Sequence, residues 1–208
     1  MEFYEVVDSR RTVRDFKEEP IEQEVLERVL LAGLKAPTND HMRNWHFIVL
    51  EDKSQMEALI KKIPKKVSEK RVNFIMDSWR LKDEFQRDMY KDGIPKQYQM
   101  LLSASCIVIP LFEQKGKLLE PKNLSALNAF ASIWCCMENI FLAATAEGYA
   151  CTLRIPMGEE EDYVRSVLNF PKGYQMPCYI GIGRPIEDVV IHKQKEISLE
   201  ERIHRNQW

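Results

Sequence analysis

The apolar side chains of this chain recur at helical spacing in some segments and run consecutively in others. Phe3, Val6 and Val7 predict a short amphipathic helix over residues 2–9. A second helix is predicted to open at Pro20, because the fixed backbone angle of proline suits the first turn of a helix. The apolar stripe of this helix consists of Ile21, Val25, Leu26, Val29, Leu30 and Leu34.

Four runs of consecutive apolar residues predict buried strands. They cover residues 45–50, 106–112, 149–155 and 179–182. The longest helical segment, residues 124–147, is apolar around much of its circumference, which indicates a buried central helix or a subunit interface. A further helix is predicted over residues 159–168, with acidic residues in its first turn. Strands separated by helices indicate a layered α/β or α+β domain.

Two segments do not follow this alternation. Residues 54–100 are highly charged but carry scattered apolar side chains, so we expect helices there that turn their apolar faces inward. Residues 191–208 contain too few apolar residues to form a core, and we expect this tail to pack along a neighbour. The chain as a whole is predicted to form a single domain, residues 1–208.

The composition narrows the range of partners. The chain has 30 basic and 32 acidic residues and a formal net charge of −2. A protein that binds nucleic acid through bulk charge needs a basic surface, so we expect no nucleic-acid partner. We also expect no membrane partner and a cytoplasmic location. No apolar run approaches the length of a transmembrane helix, and the N-terminus lacks the features of a signal peptide.

The positions of cysteine and histidine give no indication of a metal site. The five cysteines are odd in number, lie mostly in apolar segments and form no Cys-x-x-Cys pair, which is typical of reduced thiols. The four histidines are dispersed and have no metal-ligand spacing with the cysteines. We therefore predict no bound metal.

The most informative motif is residues 9–16, Ser-Arg-Arg-Thr-Val-Arg-Asp-Phe. Guanidinium groups form a rigid fork of donors that matches phosphate oxygens, and they stay charged at any relevant pH. Arg10 and Arg14, with the hydroxyl of Thr12, are therefore candidates for a phosphate site. The alternative is a solvated turn whose arginines pair with neighbouring acids, and the segment on its own favours that alternative.

Two further segments combine polar or small residues with a predicted strand. The loop 36–47 contains Trp45, which we expect in the core, and it places Arg43 and Asn44 beside a buried strand. Such a loop either presents donors and acceptors to the edge of a heteroaromatic ring or simply connects a helix to a strand. Residues 147–156 join a Gly turn to small strand residues, which either let a flat ligand approach the backbone or form a plain core strand.

The fourth candidate segment is residues 181–185, Gly-Ile-Gly-Arg-Pro, which places Arg184 beside accessible backbone, with Lys193 and Lys195 shortly after. In isolation it is better explained as a strand end followed by solvated charges. No Gly-x-Gly-x-x-Gly, P-loop or Gly-x-Ser-x-Gly motif is present, and no nucleophile is evidently paired with a histidine. Any catalysis would therefore be carried by a cofactor.

In their order and spacing, these segments resemble the nitroreductase-like family of FMN-dependent oxidoreductases. The resemblance covers nearly the whole chain and rests on the segments 10–16, 36–47, 143–149, 181–185 and 199–208. It implies an α+β fold, a three-layer α-β-α sandwich, in which two chains form an intertwined homodimer with FMN at their interface. The excursion at about 60–100 would cover the substrate side, and the tail at about 190–208 would pack on the partner subunit.

The resemblance also implies which residues hold the cofactor. Those that would bind the phosphate and the ribityl chain are Arg10, Arg11, Thr12 and Arg14, completed by Arg184 and one of Lys193 or Lys195. Those that would lie around the flavin ring are Thr38, His41, Arg43, the backbone of Cys151, Thr152 and Leu153, and Gln97 at the pyrimidine edge.

One loop departs from the family pattern, which usually reads Pro-Ser-x-x-Asn-x-Gln-Pro-Trp. Here His41 stands in place of the Asn, Arg43 in place of the Gln and Asn44 in place of the Pro. A cation at the N1/C2=O end of a flavin favours the anionic reduced form by Coulomb attraction. The substitutions would therefore raise the flavin potential, change the substrate or weaken FMN binding.

The activity that the resemblance implies is a ping-pong electron transfer. NADH or NADPH would deliver a hydride to flavin N5, and a small conjugated acceptor, such as a nitroaromatic or a quinone, would then take electrons at the same face. No side chain of the protein would itself be catalytic. Two alternatives stay open: other flavin chemistry, namely reductive dehalogenation or flavin fragmentation, and a non-catalytic FMN-binding sensor or store.

Overall fold

The computed structural model describes all 208 residues and is organised around one antiparallel sheet. The strands are β1 (His46–Leu50), β2 (Cys106–Glu113), β3 (Ala150–Arg154), β4 (Tyr174–Gln175) and β5 (Tyr179–Gly183). Their order is β1-β2-β5-β3, with β4 paired to β2, and every pairing is antiparallel. The α-helices are α1 (Phe3–Ser9), α2 (Gln23–Leu34), α3 (Lys53–Leu59), α4 (Glu69–Ser78), α5 (Glu84–Gly93), α6 (Gln99–Leu102), α7 (Asn128–Ala146) and α8 (Glu160–Leu168). Short 3₁₀ helices span Asn39–His41 and Leu124–Leu127.

Strand β2 is buried on both faces and separates two hydrophobic cores. The residues that belong to the core under α2 and α7 are Cys106, Val108 and Phe112. Those that belong to the core under α3, α6 and α8 are Ile107, Ile109 and Leu111. Because successive side chains of a strand point to opposite faces, the helices form two layers with the sheet between them. The predicted α+β class is confirmed.

The excursion at 54–100 contains four helices, α3 to α6, as the scattered apolar residues predict. Three of them begin at side-chain caps: Asp52, Ser68 and Asp83 each accept from the backbone N–H of the residue three positions later. Helices α4 and α5 enclose a small core of their own, formed by Val72, Met76 and Ile94. The charged residues of this region stay at the surface around that core.

Helix α7 packs against α2 and β2, which confirms the prediction of a central helix. Its inner side chains Ile133, Met137 and Ile140 are completely buried. The segment Leu124–Ala146 is long and apolar enough to cross a membrane by length and composition. The expectation that no apolar segment approaches the length of a transmembrane helix is therefore wrong. In this fold the segment is a core helix, but only 33% of its most apolar window is buried.

The remaining differences lie at element boundaries. Helix α2 begins at Gln23 rather than Pro20, because Glu22 keeps an extended backbone while Ile21 anchors the preceding loop in the core. Strand β4 was not predicted, since two half-buried residues produce no alternation.

All five cysteines are free, and burial raises the pKa of Cys106 and Cys136 to about 12.

Candidate functional site

The Arg-rich segment 10–16 is fixed by backbone pairing along the outer edge of the sheet. Thr12 forms a parallel bridge with Cys151 of the edge strand β3, and the N–H of Val13 donates to the carbonyl of Cys151 at 3.1 Å. Phe16 forms an antiparallel bridge with Pro185. The side chains of Val13 and Phe16 are buried, so the apolar residues of the motif hold its backbone in place.

Two cavities lie on either side of this segment. The smaller, here called the β3 cavity, has a volume of about 240 Å³ and is lined by Arg10, Arg11, Thr12, Trp134, Glu138, Phe141, Thr145, Cys151, Thr152 and Leu153. The larger, here called the basic cavity, has a volume of about 660 Å³. Its lining is Arg10, Arg11, Thr12, Arg14, Asp83, Phe85, Gln86, Met89, Ile191, His192, Lys193, Gln194, Lys195 and Ile197. The cavities share residues 10–12 and therefore adjoin.

Arg14 is a cation in the basic cavity without a matching anion. Its Nε is buried and has no hydrogen-bond partner, and its Nη2 donates only to the sulfur of Met89 at 3.2 Å. Burial lowers the pKa of Arg14, although the charges of Asp92 and Asp15 oppose that shift. The guanidinium lines the basic cavity and has no carboxylate within 4.0 Å. The guanidinium is therefore suited to hold a phosphate.

The two lysines of the tail are equally uncommitted. Neither Lys193 nor Lys195 lies within 4.0 Å of a carboxylate, and the ammonium of Lys193 lies 5.6 Å from the ring centroid of Phe85. With Arg14 they give the basic cavity cations from two walls, one formed by the Arg-rich segment and one by the tail. Asp83 is the one carboxylate in its lining.

Arg10 and Arg11 already have partners within the protein. Arg10 forms an ion pair with Glu138 of α7, with Nε and Oε1 3.3 Å apart. Arg11 donates to the carbonyl oxygens of Asp8 and Arg10 at 2.9 and 2.8 Å. These contacts orient both side chains along the boundary between the two cavities.

The structure does not bring Arg184 to either cavity. Its guanidinium pairs with Glu19 at 3.2 Å and with Glu22 at 3.1 Å, and it lies 4.3 Å from the ring centroid of Tyr149. The hydroxyl of Tyr149 also donates to Glu22. Two carboxylates thus neutralise Arg184 within a cluster that joins the start of α2 to the end of β5.

The predicted ring-lining residues Thr38, His41 and Arg43 also lie outside both cavities of the chain. Their loop is tied to α7 by the N–H of Asn39, which donates to the Oγ of Ser132 at 3.1 Å. Asp40, His41 and Arg43 have left-handed backbone, with φ of 51°, 52° and 46°. Such backbone is unfavourable for residues other than glycine and is concentrated at functional sites.

Gln97 does not reach the cavities either, because its amide donates to the carbonyl of Gly93 at 3.2 Å. The sequence interpretation also missed the contribution of α7, where Trp134, Glu138 and Phe141 form one wall of the β3 cavity. The sequence does mark this wall, because Glu138 is the one charged residue of α7.

Comparison with known proteins agrees with this fold. Residues 7–184 match the Nitroreductase family. An iodotyrosine deiodinase from Haliscomenobacter hydrossis is 34% identical over 192 residues, covering 91% of this chain and 82% of its own length. An NADPH-dependent oxidoreductase from Staphylococcus epidermidis is 23% identical over 206 residues, covering 99% of this chain and 73% of its own.

A solved structure of oxidised iodotyrosine deiodinase, bound to FMN and 3-iodo-L-tyrosine, has the same fold. Its TM-score is 0.75 at 16% identity, and the match covers 100% of this chain and 100% of that one. The fold, the order of the motifs and the match over residues 7–184 lead to one conclusion: this chain belongs to the nitroreductase family of oxidoreductases.

Proposed function

We propose that the protein is an FMN-dependent oxidoreductase that passes electrons from NADH or NADPH to a small conjugated acceptor. The observation that carries this proposal is the guanidinium of Arg14, which has no carboxylate partner and lines the basic cavity together with Lys193 and Lys195. A phosphate monoester supplies the negative charge and the acceptor oxygens that this set of donors lacks. The relative that is solved with FMN has the same fold and supports the choice of cofactor.

In this proposal the two adjoining cavities take different parts of the cofactor. Arg14 and the two lysines would bind the phosphate, and Thr12 would donate to the ribityl chain. The backbone of Cys151–Leu153 would lie against the ring in the β3 cavity. FMN, when bound, would supply the hydride-accepting and electron-donating chemistry. The chain's own residues bind and orient it, and the partly buried Trp134 helps to exclude water from the ring.

We further propose that the active form is a homodimer whose interface includes α7. Only 33% of the most apolar window of Leu124–Ala146, which includes this helix, is buried, and α1 beside it exposes 64% of Phe3 and 79% of Tyr4. Apolar surface of this extent is typical of a protein interface. A partner packed on this face would cover the β3 cavity and would bring its own loop 38–43 toward the ring. This would explain why Thr38, His41 and Arg43 line neither of the two cavities of their own chain.

Reductive dehalogenation is the second candidate reaction. It is favoured by the relative from Haliscomenobacter hydrossis, an iodotyrosine deiodinase at 34% identity over most of the chain. His41 and Arg43 would place cationic or donor groups near the ring and support an anionic reduced flavin, which suits either reaction. We also propose the cytoplasm as the compartment, supported by five free thiols and no disulfide.

The cofactor proposal is tested by reconstitution with FMN. Wild-type protein is expected to show the visible absorption of bound flavin. Arg14→Met, which keeps the volume but removes the charge, should weaken FMN binding by about tenfold or more, because hydrogen bonds to charged groups are strong. Arg71→Met is the control, since Arg71 is exposed on α4. A wild-type protein that stays colourless after incubation with FMN overturns the proposal.

The choice of reaction is tested with an acceptor panel on the reconstituted protein. NADH and NADPH are each tested with a nitroaromatic and a quinone, and dithionite-reduced protein is tested with iodotyrosine. Turnover with nitro compounds or quinones supports the first reaction, and release of iodide supports the second. A protein that binds FMN but shows no reduction by either nicotinamide and no release of iodide is a flavin sensor or store.

A further inference from the structure

We propose that His192 and Asp92 are positioning residues that hold the tail against α5 and thereby place Lys193 and Lys195 on the cofactor phosphate. This inference rests on the proposed function, because it concerns how the FMN phosphate site is kept in order. Their proposed role is to hold the tail in place rather than to bind the phosphate.

The contact belongs to a chain of charges that joins three segments. His192 Nε2 lies 3.2 Å from one carboxylate oxygen of Asp92, and Lys96 Nζ lies 2.7 Å from the other. Lys96 also lies 2.6 Å from Asp15 of the Arg-rich segment. The four side chains are between 19% and 31% exposed, so water weakens these contacts less than it weakens ion pairs at the open surface.

The network is placed so that it acts on both cationic walls. Asp15 directly follows Arg14, and His192 directly precedes Lys193. The Arg-rich segment does not depend on the network alone, because bridges to Cys151 and Pro185 also fix it. The tail has no such support.

Between residues 188 and 198, the contact of His192 with Asp92 is the one hydrogen bond that the structure contains. This stretch has no helix or strand. The other contacts that restrain it are the packing of Val189 on a small core cluster and the approach of Lys193 to the Phe85 ring. Neither fixes direction as a hydrogen bond does, so the His192 contact determines where the two lysines point.

A phosphate that must order a free tail gives up part of its binding energy to the lost conformational freedom of the chain. A tail already held by Asp92 avoids that cost. Loss of the contact should therefore weaken the binding of the phosphate and leave the binding of the ring unchanged.

FMN and riboflavin make the sharpest test, since riboflavin has the same ring and ribityl chain but no phosphate. Dissociation constants of both are measured on the full-length apoprotein for wild type, His192→Ala, His192→Gln and the control His204→Ala. His204 is an exposed tail histidine that contacts Trp208. His192→Ala should weaken FMN binding by about tenfold with riboflavin changed less than about twofold. His192→Gln keeps a donor to Asp92 and should recover most of the loss, and His204→Ala should resemble wild type.

A second measurement decides the matter if riboflavin binds too weakly to follow. In the Lys193→Ala/Lys195→Ala background, His192→Ala should cause no further loss of FMN affinity, because its effect passes through those lysines. Equal weakening of FMN and riboflavin, an additive loss in that background, or an unchanged FMN constant would each overturn the inference. A wild-type protein that binds no FMN refutes the proposed function instead, so the two failures are distinguishable.

Discussion

Gly93 lies directly against the guanidinium of Arg14. A Cβ built on Gly93 would stand 3.1 Å from Arg14 Cζ and only 2.9 Å from Arg14 Nε, and the second distance is shorter than Cβ contacts in proteins. Gly93 is the last residue of α5 and is buried, with no positive φ to require glycine. The absence of a side chain there is what lets Arg14 reach its place in the basic cavity.

Gly93→Ala should displace Arg14 without unfolding the protein. The atoms in the way are the end of a flexible side chain, and alanine favours a helix by up to about 1 kcal/mol over glycine. We expect the melting temperature to stay level or rise, while FMN binding weakens by about tenfold. Titration with FMN and thermal unfolding check the two halves. In an Arg14→Met background the same substitution should have little further effect on the FMN constant, and an unchanged constant in the wild-type background contradicts the prediction.

Ala131→Arg should disrupt the proposed homodimer. Ala131 is exposed on the apolar face of α7, and an arginine there would place an unpaired charge in the interface. We expect a shift from dimer to monomer in analytical ultracentrifugation, with loss of bound FMN. Ala58→Arg makes the same change at an exposed position of α3 and should leave the dimer intact. If Ala131→Arg sediments like wild type, as Ala58→Arg is expected to do, α7 is not part of the interface.

Glu160→Ala should strongly destabilise the fold. Arg154 and Glu160 form a bidentate ion pair whose side chains are 5% and 8% exposed, so the substitution leaves a buried guanidinium without its counterion. The expected loss in the free energy of unfolding is about 3–5 kcal/mol, measured in urea. Glu161→Ala removes the neighbouring acid, whose pairing with Arg165 is more exposed, and should cost less than about 1 kcal/mol. Equal losses in the two variants would contradict the distinction.

Acid should weaken the network around Asp92. Burial by itself raises the pKa of Asp92, but hydrogen bonds from Lys96 and His192 outweigh it and hold the pKa below its usual range. A lowered pKa in the folded state stabilises the protein above the unfolded value of about 3.9, and that contribution is lost as the pH falls through the folded value. The difference in unfolding free energy between wild type and Asp92→Asn should therefore be constant from about pH 5 to 7 and should fall toward zero below about pH 4. Asp88 forms an exposed pair with Lys91, so the corresponding difference for Asp88→Asn should not change in acid. A difference that widened in acid would refute the assignment.

Much of the fold follows from the pattern of apolar residues. The strands begin and end within about one residue of the apolar runs. The reason is clearest for β2 and β5, which are buried along nearly their whole length and have no exposed polar positions to blur their limits. Trp45, Val13 and Phe16 are in the core, as their positions beside strands and turns indicate. The start of α2 does not follow from the sequence, since Pro20 is compatible both with the first turn of a helix and with an extended segment before it.

Only part of the candidate site could be predicted from the sequence, because the partners of its charged residues depend on tertiary packing. The sequence shows that Arg14 lies in the turn after the first helix and that Arg184 follows a strand, but it does not show which of the two pairs with a carboxylate. Glu19 and Glu22 neutralise Arg184, whereas Arg14 lies under Gly93, nearly eighty residues away in the chain. Such partners are set by tertiary packing, so neither spacing nor composition contains them. The contact of His192 with Asp92 is of the same kind.

The pairing of the Arg-rich segment with β3 also bears on solubility. β3 is an edge strand, and an exposed edge is a template on which strands of other molecules can add and aggregate. The bridge from Thr12 to Cys151 and the hydrogen bond from Val13 cover part of that edge. The segment that we propose to bind the phosphate thus also shields the sheet. A variant that releases it should precipitate more readily as well as lose its cofactor.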